Sequence, residues 1–307
     1  MKNLKWLNQF KEILSNKTIV ITGTTSGLGK EVCAYLSQFD VSVFVGVRNT
    51  KKAADNFKQL KNVNENFKFK IFELDLKSFD SVIKFADTIK KECPNGIDAL
   101  INNAGIYAQK PELLSCGYEK HFVVNFLSPI ILTQKLLPLL EKQKDSRVVF
   151  LSSISIFNKK IDFNNIDFKN SKSDFNLYAN TKLWLTYYAT EWKRQLENSN
   201  SNVCINLCHP GVSASSLFVK SEGKWNKFVY GLANPIMKLL FPSPKTACLS
   251  EIYGIVYKTN LKEWLGPRGF TNVYGKPKAK KLKLENDEIL KNSYNITNQI
   301  LKDLKVL

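Results

Sequence analysis

The sequence predicts a single α/β domain in which a doubly wound, parallel sheet of about seven strands carries helices on both faces. Two observations predict it. From residue 18 onward, short β-branched apolar runs alternate with longer amphipathic stretches, the pattern of βα units stacked side by side. No Gly/Ser-rich or Pro-rich linker interrupts the series and there is no internal repeat, so nothing divides it into separate domains. The bulk numbers agree: 307 residues exceed the usual single-domain size only modestly, and 44% hydrophobic with 23% charged residues is ordinary for a globular chain.

Strands are predicted at 18–22, 41–47, 69–74, 99–102, 148–152 and 203–208, and helices follow them near 29–38, 51–60, 81–91, 112–142, 177–197 and 246–258. Right-handed crossovers wind such units into an open sheet covered on both sides. Two stretches stand outside the rhythm: 212–241, and the tail after Gly275, which runs through a lysine-dense patch into a helix predicted at 285–304. Residues 1–16 read as an amphipathic helix, because Leu4, Leu7, Phe10, Ile13 and Leu14 recur at helical spacing. Lys2, Lys5, Lys11 and Lys17 punctuate it, so neither a signal peptide nor a membrane span is expected there. Such a helix either packs on the domain or rests on a membrane surface. The expected organisation is a helix at 1–16, a domain at 17–275 and a basic tail with a helix at 276–307.

A formal net charge of +18 could draw a nucleic acid or an acidic membrane. Nucleic acid is not expected as a partner. Only four of the 45 basic residues are arginine, the lysines are scattered, asparagine is abundant and no nucleic-acid-binding motif is present, so a Lys/Asn-biased composition explains the charge. Six cysteines, at 33, 93, 116, 204, 208 and 248, lack metal-ligand pairing and have only His121 and His209 to help them. No metal site is expected. Reduced, buried thiols suit a cytoplasmic protein, either free or resting peripherally on a membrane through its first helix.

The first strand ends in Thr22-Gly23-Thr24-Thr25-Ser26-Gly27-Leu28-Gly29 and a helix begins, so a glycine-rich turn brings a helix amino terminus to a strand's carboxyl end. That is a phosphate cradle of the Rossmann type. Gly23 makes the tight turn, Gly27 lets the backbone approach a pyrophosphate and Gly29 allows close helix packing, with Thr25, Ser26 and Leu28 supplying the backbone between. Three glycines also serve purely conformational turns; their place in the first βα unit favours a dinucleotide. Many NAD sites end the second strand in an acid for the ribose, and this chain instead reads Gly46-Val47-Arg48-Asn49. NADP(H) is therefore expected over NAD(H), because Arg48 offers a charge-assisted fork to a 2′-phosphate unless it is simply a solvated loop residue. Leu74-Asp75-Leu76 and Asn102-Asn103-Ala104-Gly105 end the third and fourth strands, at the edge where open α/β sheets bind ligands, although each is also ordinary turn chemistry.

Hydride transfer at a carbonyl needs a proton donor at the oxygen and a group to hold the developing alkoxide. Tyr178 is the candidate donor. Lys182, four residues on, shares its helix face and provides the cation that a phenol of ordinary pKa about 10 requires. The spacing alone is unspecific, since Tyr274 and Lys278 repeat it, but Gly275 and Pro277 spoil a helix there, whereas Tyr178 opens a long helix after the fifth strand. Ser152 and Ser153 end that strand, where a hydroxyl can bond the substrate oxygen.

The ordered set Thr22-Gly23-x3-Gly27-x-Gly29, Asp75, Asn102-Asn103-Ala104-Gly105, Asn125, Ser153, Tyr178-x3-Lys182 and Pro210-Gly211 resembles the short-chain dehydrogenase/reductase family over about residues 17–258. More narrowly, Arg48, Gly117-Tyr118-Glu119-Lys120-x-Phe122-x2-Asn125 and the long interval between Ser153 and Tyr178 resemble its retinol-dehydrogenase-like and WW-domain-oxidoreductase-like branch. The resemblance implies an NADP(H)-dependent oxidoreductase. Tyr178 would be the acid/base, Lys182 would bind the nicotinamide ribose and lower the tyrosine pKa, Ser153 would orient the substrate oxygen and Asn125 would hold a water of the proton relay. Asp75, Leu76, Asn103, Ala104 and Gly105 would line the coenzyme site. Pro210, Gly211, Val212 and Ser213 would contact the nicotinamide, Ser213 standing where a threonine is usual.

The segment 212–241 is rich in apolar residues, Leu217, Phe218, Trp225, Phe228 and Tyr230 among them, and corresponds to the family's substrate cover. It suits a small apolar alcohol, aldehyde or ketone such as a retinoid, steroid or fatty aldehyde, unless these residues pack on the sheet, on a second copy in a homodimer or on a membrane. One rival reading is a catalytically silent NADPH-binding sensor or scaffold, against which the filled catalytic positions speak. Another is a membrane-surface binding protein that merely retains the fold.

Overall fold

The computed structural model describes residues 2–60, 63–107, 109–157, 159–166, 174–211, 242–269, 275–284 and 286–306. The strands are β1 (Thr18–Thr22), β2 (Ser42–Val47), β3 (Lys68–Glu73), β4 (Ala99–Asn102), β5 (Ser146–Leu151), β6 (Val203–Cys208), β7 (Glu263–Pro267) and β8 (Pro277–Lys281). They form one sheet in the order β3-β2-β1-β4-β5-β6-β7-β8, parallel except for the antiparallel pair β7 and β8. The helices are α1 (Lys2–Leu7), α2 (Lys11–Leu14), α3 (Gly27–Leu36), α4 (Thr50–Lys58), α5 (Phe79–Glu92), α6 (Lys120–Leu140), α7 (Asp174–Asn198), α8 (Pro244–Ala247), α9 (Leu249–Val256) and α10 (Asp287–Asp303).

Strand periodicity sorts the apolar residues into two cores. Val20, Leu100, Val148, Phe150, Ile205 and Leu207 face one, with α5, α6 and α7; Ile19, Ile21, Ile101, Val149 and Leu151 face the other, with α3 and α9. Burial on both faces explains why β5 and β6 read as continuous apolar runs. Among the described residues the sheet has eight strands where about seven were expected. The unforeseen β8, Pro-Lys-Ala-Lys-Lys, lies at an edge, where lysines guard against further pairing and a proline costs no ladder bond at the strand start.

α6 starts at Lys120 rather than near 112, because Gly117 takes a left-handed φ of 86° and the Glu119 carboxylate then caps the helix by accepting from the backbone N–H groups of His121 and Phe122. It is long and apolar enough to cross a membrane, yet most of it is buried in the first core. The amino-terminal helix breaks at a 3-10 turn, Asn8–Phe10, between α1 and α2. Leu7 and Leu14 are fully buried, and Trp6 and Phe10 pack on Tyr253 of α9 with ring centroids 5.6 and 5.8 Å away, so the domain engages most of the apolar face and leaves Ile13 exposed. α10 docks on α7, where Tyr188 stacks on Tyr294 and donates to Asn298 at 2.9 Å.

Candidate active site

The sheet order reverses between β1 and β4, and at their carboxyl ends a cleft of about 380 Å³ opens. One wall is the first turn. Gly23 and Gly27 have φ of 75° and 64°, left-handed values that favour glycine. A Cβ on Gly29 would lie 2.5 Å from the Gly23 carbonyl oxygen and closer still to the Asn103 amide, so only glycine lets α3 start this near the turn. Thr25, Ser26, Gly27 and Leu28 line the cleft. The first turn of α3 holds no acid, which leaves its dipole and backbone N–H groups to an anion.

Cations gather at one end. Arg48 and Lys52 both line the cleft, and Asn49 between them caps α4 by accepting from the Lys52 backbone N–H at 2.8 Å. Lys52 was missed by the sequence reading; its signal was the position four residues after Arg48 at a capped helix start. Asp75 and Leu76 line the facing wall. The Asp75 carboxylate accepts from the Lys77 backbone N–H at 3.0 Å, and the Leu76 carbonyl accepts from Ser128 at 2.6 Å, which ties this wall to α6. Asn103 donates to the carbonyls of Thr22 and Gly23 at 2.6 and 2.8 Å, while the Ala104 N–H donates to the Thr22 hydroxyl at 3.0 Å. These bonds stitch the end of β4 to the glycine turn.

At the other end the groups are side chains, with Asn125 and Lys182 buried and Tyr178 and Ser153 half-buried. Asn125 stands in a π-helical turn, Val123–Leu127, which aims its amide at the chain after β4. It accepts from the Ile106 N–H at 2.8 Å, donates to the Ile106 carbonyl at 3.0 Å and reaches the Thr181 hydroxyl at 3.4 Å. A Cβ on Gly105 would lie 3.0 Å from Asn125 Oδ1 and 3.9 Å from Lys182 Nζ, so these three residues meet. Tyr178 hydrogen-bonds to Ser153 and, with Lys182, faces the cleft from α7. Ser152, the neighbouring candidate, is instead bonded to Thr186 at 2.7 Å.

Burial pushes the Tyr178 phenol up to about 12; the bond to Ser153 partly opposes this and the nearby Tyr107 adds to it. Burial brings Lys182 down to about 8, opposed by Glu251. The resemblance implied that Lys182 lowers the tyrosine pKa. Here its ammonium donates to the Leu151 carbonyl at 2.7 Å and sits 5.9 Å from the Tyr178 ring centroid, so burial prevails over it. Tyr107, edge-on to Tyr178 with ring centroids 4.8 Å apart, and Gln109 line the cleft too; nothing in the sequence beyond their nearness to Gly105 marked them. Pro210 lines the cleft, and Gly211 has φ 79° with its N–H donating to His209 Nδ1 at 3.1 Å. Val212, Ser213 and the rest of the expected cover at 212–241 lie outside the described residues. Among the described residues no cluster of His, Cys, Asp or Glu could hold a metal.

Residues 17–226 match the family model of the short chain dehydrogenases. The chain belongs to the short-chain dehydrogenase/reductase family. Retinol dehydrogenase 13 of Mus musculus is 30% identical over 245 residues, 79% of this chain and 72% of that protein. Retinol dehydrogenase 14 of Mus musculus is 32% identical over 255 residues, 78% of this chain and 74% of that one, so the chain falls in the retinol-dehydrogenase-like branch. Among solved structures, an uncharacterized protein from Mycobacterium Paratuberculosis superposes with a TM-score of 0.73 at 25% identity, covering 94% of both chains. A family member from Burkholderia phymatum in complex with NAD shares the fold, with a TM-score of 0.61 at 15% identity over 79% of this chain and 86% of that one. Short-chain dehydrogenases are oxidoreductases that bind a nicotinamide cofactor, and the cleft suits one: a glycine turn at a helix amino terminus lies between a cationic end and a tyrosine, serine and lysine end.

Proposed function

We propose that this chain is an NADP(H)-dependent oxidoreductase acting on the alcohol or carbonyl group of a small apolar substrate, with Tyr178 as its general acid/base. The observation that carries this reading is the hydrogen bond between Tyr178 and Ser153 beside buried Lys182, in the same cleft as Arg48 and Lys52. The bound nicotinamide supplies or takes up hydride. In reduction the Tyr178 phenol, protonated at neutral pH and held so more firmly by burial, gives its proton to the carbonyl oxygen. Ser153 donates to that same oxygen and orients it. Lys182, charged below about pH 8, holds the nicotinamide ribose and steadies the phenolate as it forms. Asn125 braces Ile106 against α7, which fixes the cleft floor beneath these groups.

Arg48 forks a ribose 2′-phosphate, with Lys52 and the amino terminus of α4 behind it and no acid in the first turn of that helix to repel it. Apolarity of the substrate is supported by Tyr107, which lines the cleft edge-on to Tyr178, and by Phe175, whose ring packs on Tyr107 with centroids 6.4 Å apart. The names of the relatives point the same way: retinol dehydrogenases 13 and 14, and the polyprenol dehydrogenase of Homo sapiens at 27% identity. A panel of retinoids, steroids, fatty aldehydes and quinones, assayed with both coenzymes, tests the proposal. NADPH oxidation with at least one apolar carbonyl compound is expected; turnover with none of them would refute it.

A further inference from the structure

The motif Gly117-Tyr118-Glu119-Lys120-x-Phe122 at the start of α6 takes no part in the mechanism above, yet it places a buried acid next to a buried histidine. Glu119 and His121 are 3% and 0% exposed. The Glu119 carboxylate accepts from the backbone N–H groups of Glu112, His121 and Phe122 at 3.4, 2.5 and 3.4 Å, and lies 2.9 Å from His121 Nδ1. The other ring nitrogen, Nε2, accepts from the Gln109 backbone N–H at 3.3 Å. Accepting that bond takes a lone pair, which an imidazolium lacks, so the ring is neutral and its hydrogen, on Nδ1, is donated to Glu119. Both buried polar side chains are thus satisfied, and the outermost bond of the set ends on a residue that lines the cleft.

The chain after β4 is therefore pinned at two points. Asn125 holds both polar groups of the Ile106 backbone, and His121, one helical turn earlier on α6, holds Gln109. Tyr107 stands between the two pins and lines the cleft edge-on to Tyr178, with ring centroids 4.8 Å apart. We propose that His121, oriented by Glu119, is a positioning residue for the substrate end of the cleft: it latches Gln109 so that Tyr107 keeps its place as the wall beside Tyr178. Glu112 carries the latch across to the facing wall, because its N–H donates to Glu119 while its carboxylate pairs with Lys120 at 3.0 Å and with cleft-lining Lys77 at 3.2 Å. The chain's other histidine pins backbone through the opposite nitrogen. His209 Nδ1 accepts from the Gly211 N–H, beside cleft-lining Pro210, which puts the His209 hydrogen on Nε2. The role of the latch in turnover rests on the oxidoreductase reading above.

The test uses the full chain, first with 15N-labelled histidine at neutral pH. Two histidines give two imidazole signals, which His121→Gln assigns. His121 is expected to carry its hydrogen on Nδ1 and His209 on Nε2; a His121 ring with its hydrogen on Nε2 overturns the proposal. His121→Leu removes the acceptor, so the Gln109 amide should exchange with solvent about tenfold faster. In the same variant KM for the panel compound turned over fastest should rise about tenfold, with kcat within about threefold of wild type. His121→Gln sets an amide nitrogen and oxygen at about the spacing of the two ring nitrogens, and is expected to return exchange and KM to within about threefold of wild type. An unmoved exchange rate or an unmoved KM in His121→Leu overturns the proposal, whatever happens to thermal stability, as does equal damage from both variants. A wild-type chain inactive with every panel compound would count against the oxidoreductase reading, and the ring tautomer and the Gln109 exchange would still decide the latch.

Discussion

The two ends of the cleft are made of different materials. Around Gly23, Gly27 and Gly29 the site is backbone, held by tight approaches and bonds from Asn103, with exposed Arg48 at its rim. Around Tyr178 it is side chains, buried enough that a phenol stands at about 12 and an ammonium at about 8. Shape governs the first end and protonation the second. Changes at the glycine turn should therefore act on coenzyme binding whatever the pH, and changes at the tyrosine end on turnover with the coenzyme still bound.

The largest effect expected at the coenzyme end comes from Gly29→Ala. The added methyl collides with the Gly23 carbonyl and the Asn103 amide, so coenzyme affinity by fluorescence titration should fall about 100-fold, with about 1–3 kcal/mol of stability lost in denaturant unfolding. Equal affinity in that variant would break the contrast. At the tyrosine end, kcat/KM should fall about tenfold per pH unit above pH 8, because Lys182, lowered by burial, is charged below that point and neutral above it. A profile flat to pH 10 would contradict this. Arg48→Ala is the gentlest probe. It should weaken NADPH by about tenfold or more while leaving NADH within about twofold; equal losses would remove the 2′-phosphate assignment.

What was legible in the sequence was local. Glycines with left-handed φ, apolar runs of strand length and the Tyr178 to Lys182 spacing all carry their signal within a few residues, and the six predicted strands stand within two residues of their observed bounds. What was hidden depends on packing. β8, an edge strand, carries lysines at 278, 280 and 281, so it lacks the apolar pattern that marks a strand. Lys52 and Tyr107 line the cleft only because α4 and the chain after β4 converge on it. Glu251, inside Leu-Ser-Glu-Ile-Tyr-Gly-Ile-Val, reads as the solvent side of an amphipathic helix, and only the fold shows that this side is covered.

The central claim, that one tyrosine gives and takes the proton, is tested most directly by Tyr178→Phe with coenzyme binding and turnover measured on the same preparation. Loss of the hydroxyl removes the acid and leaves the ring packed against Tyr107. NADPH affinity is expected to stay within about twofold while kcat drops about 1,000-fold. Turnover at the wild-type rate in that variant would contradict the account.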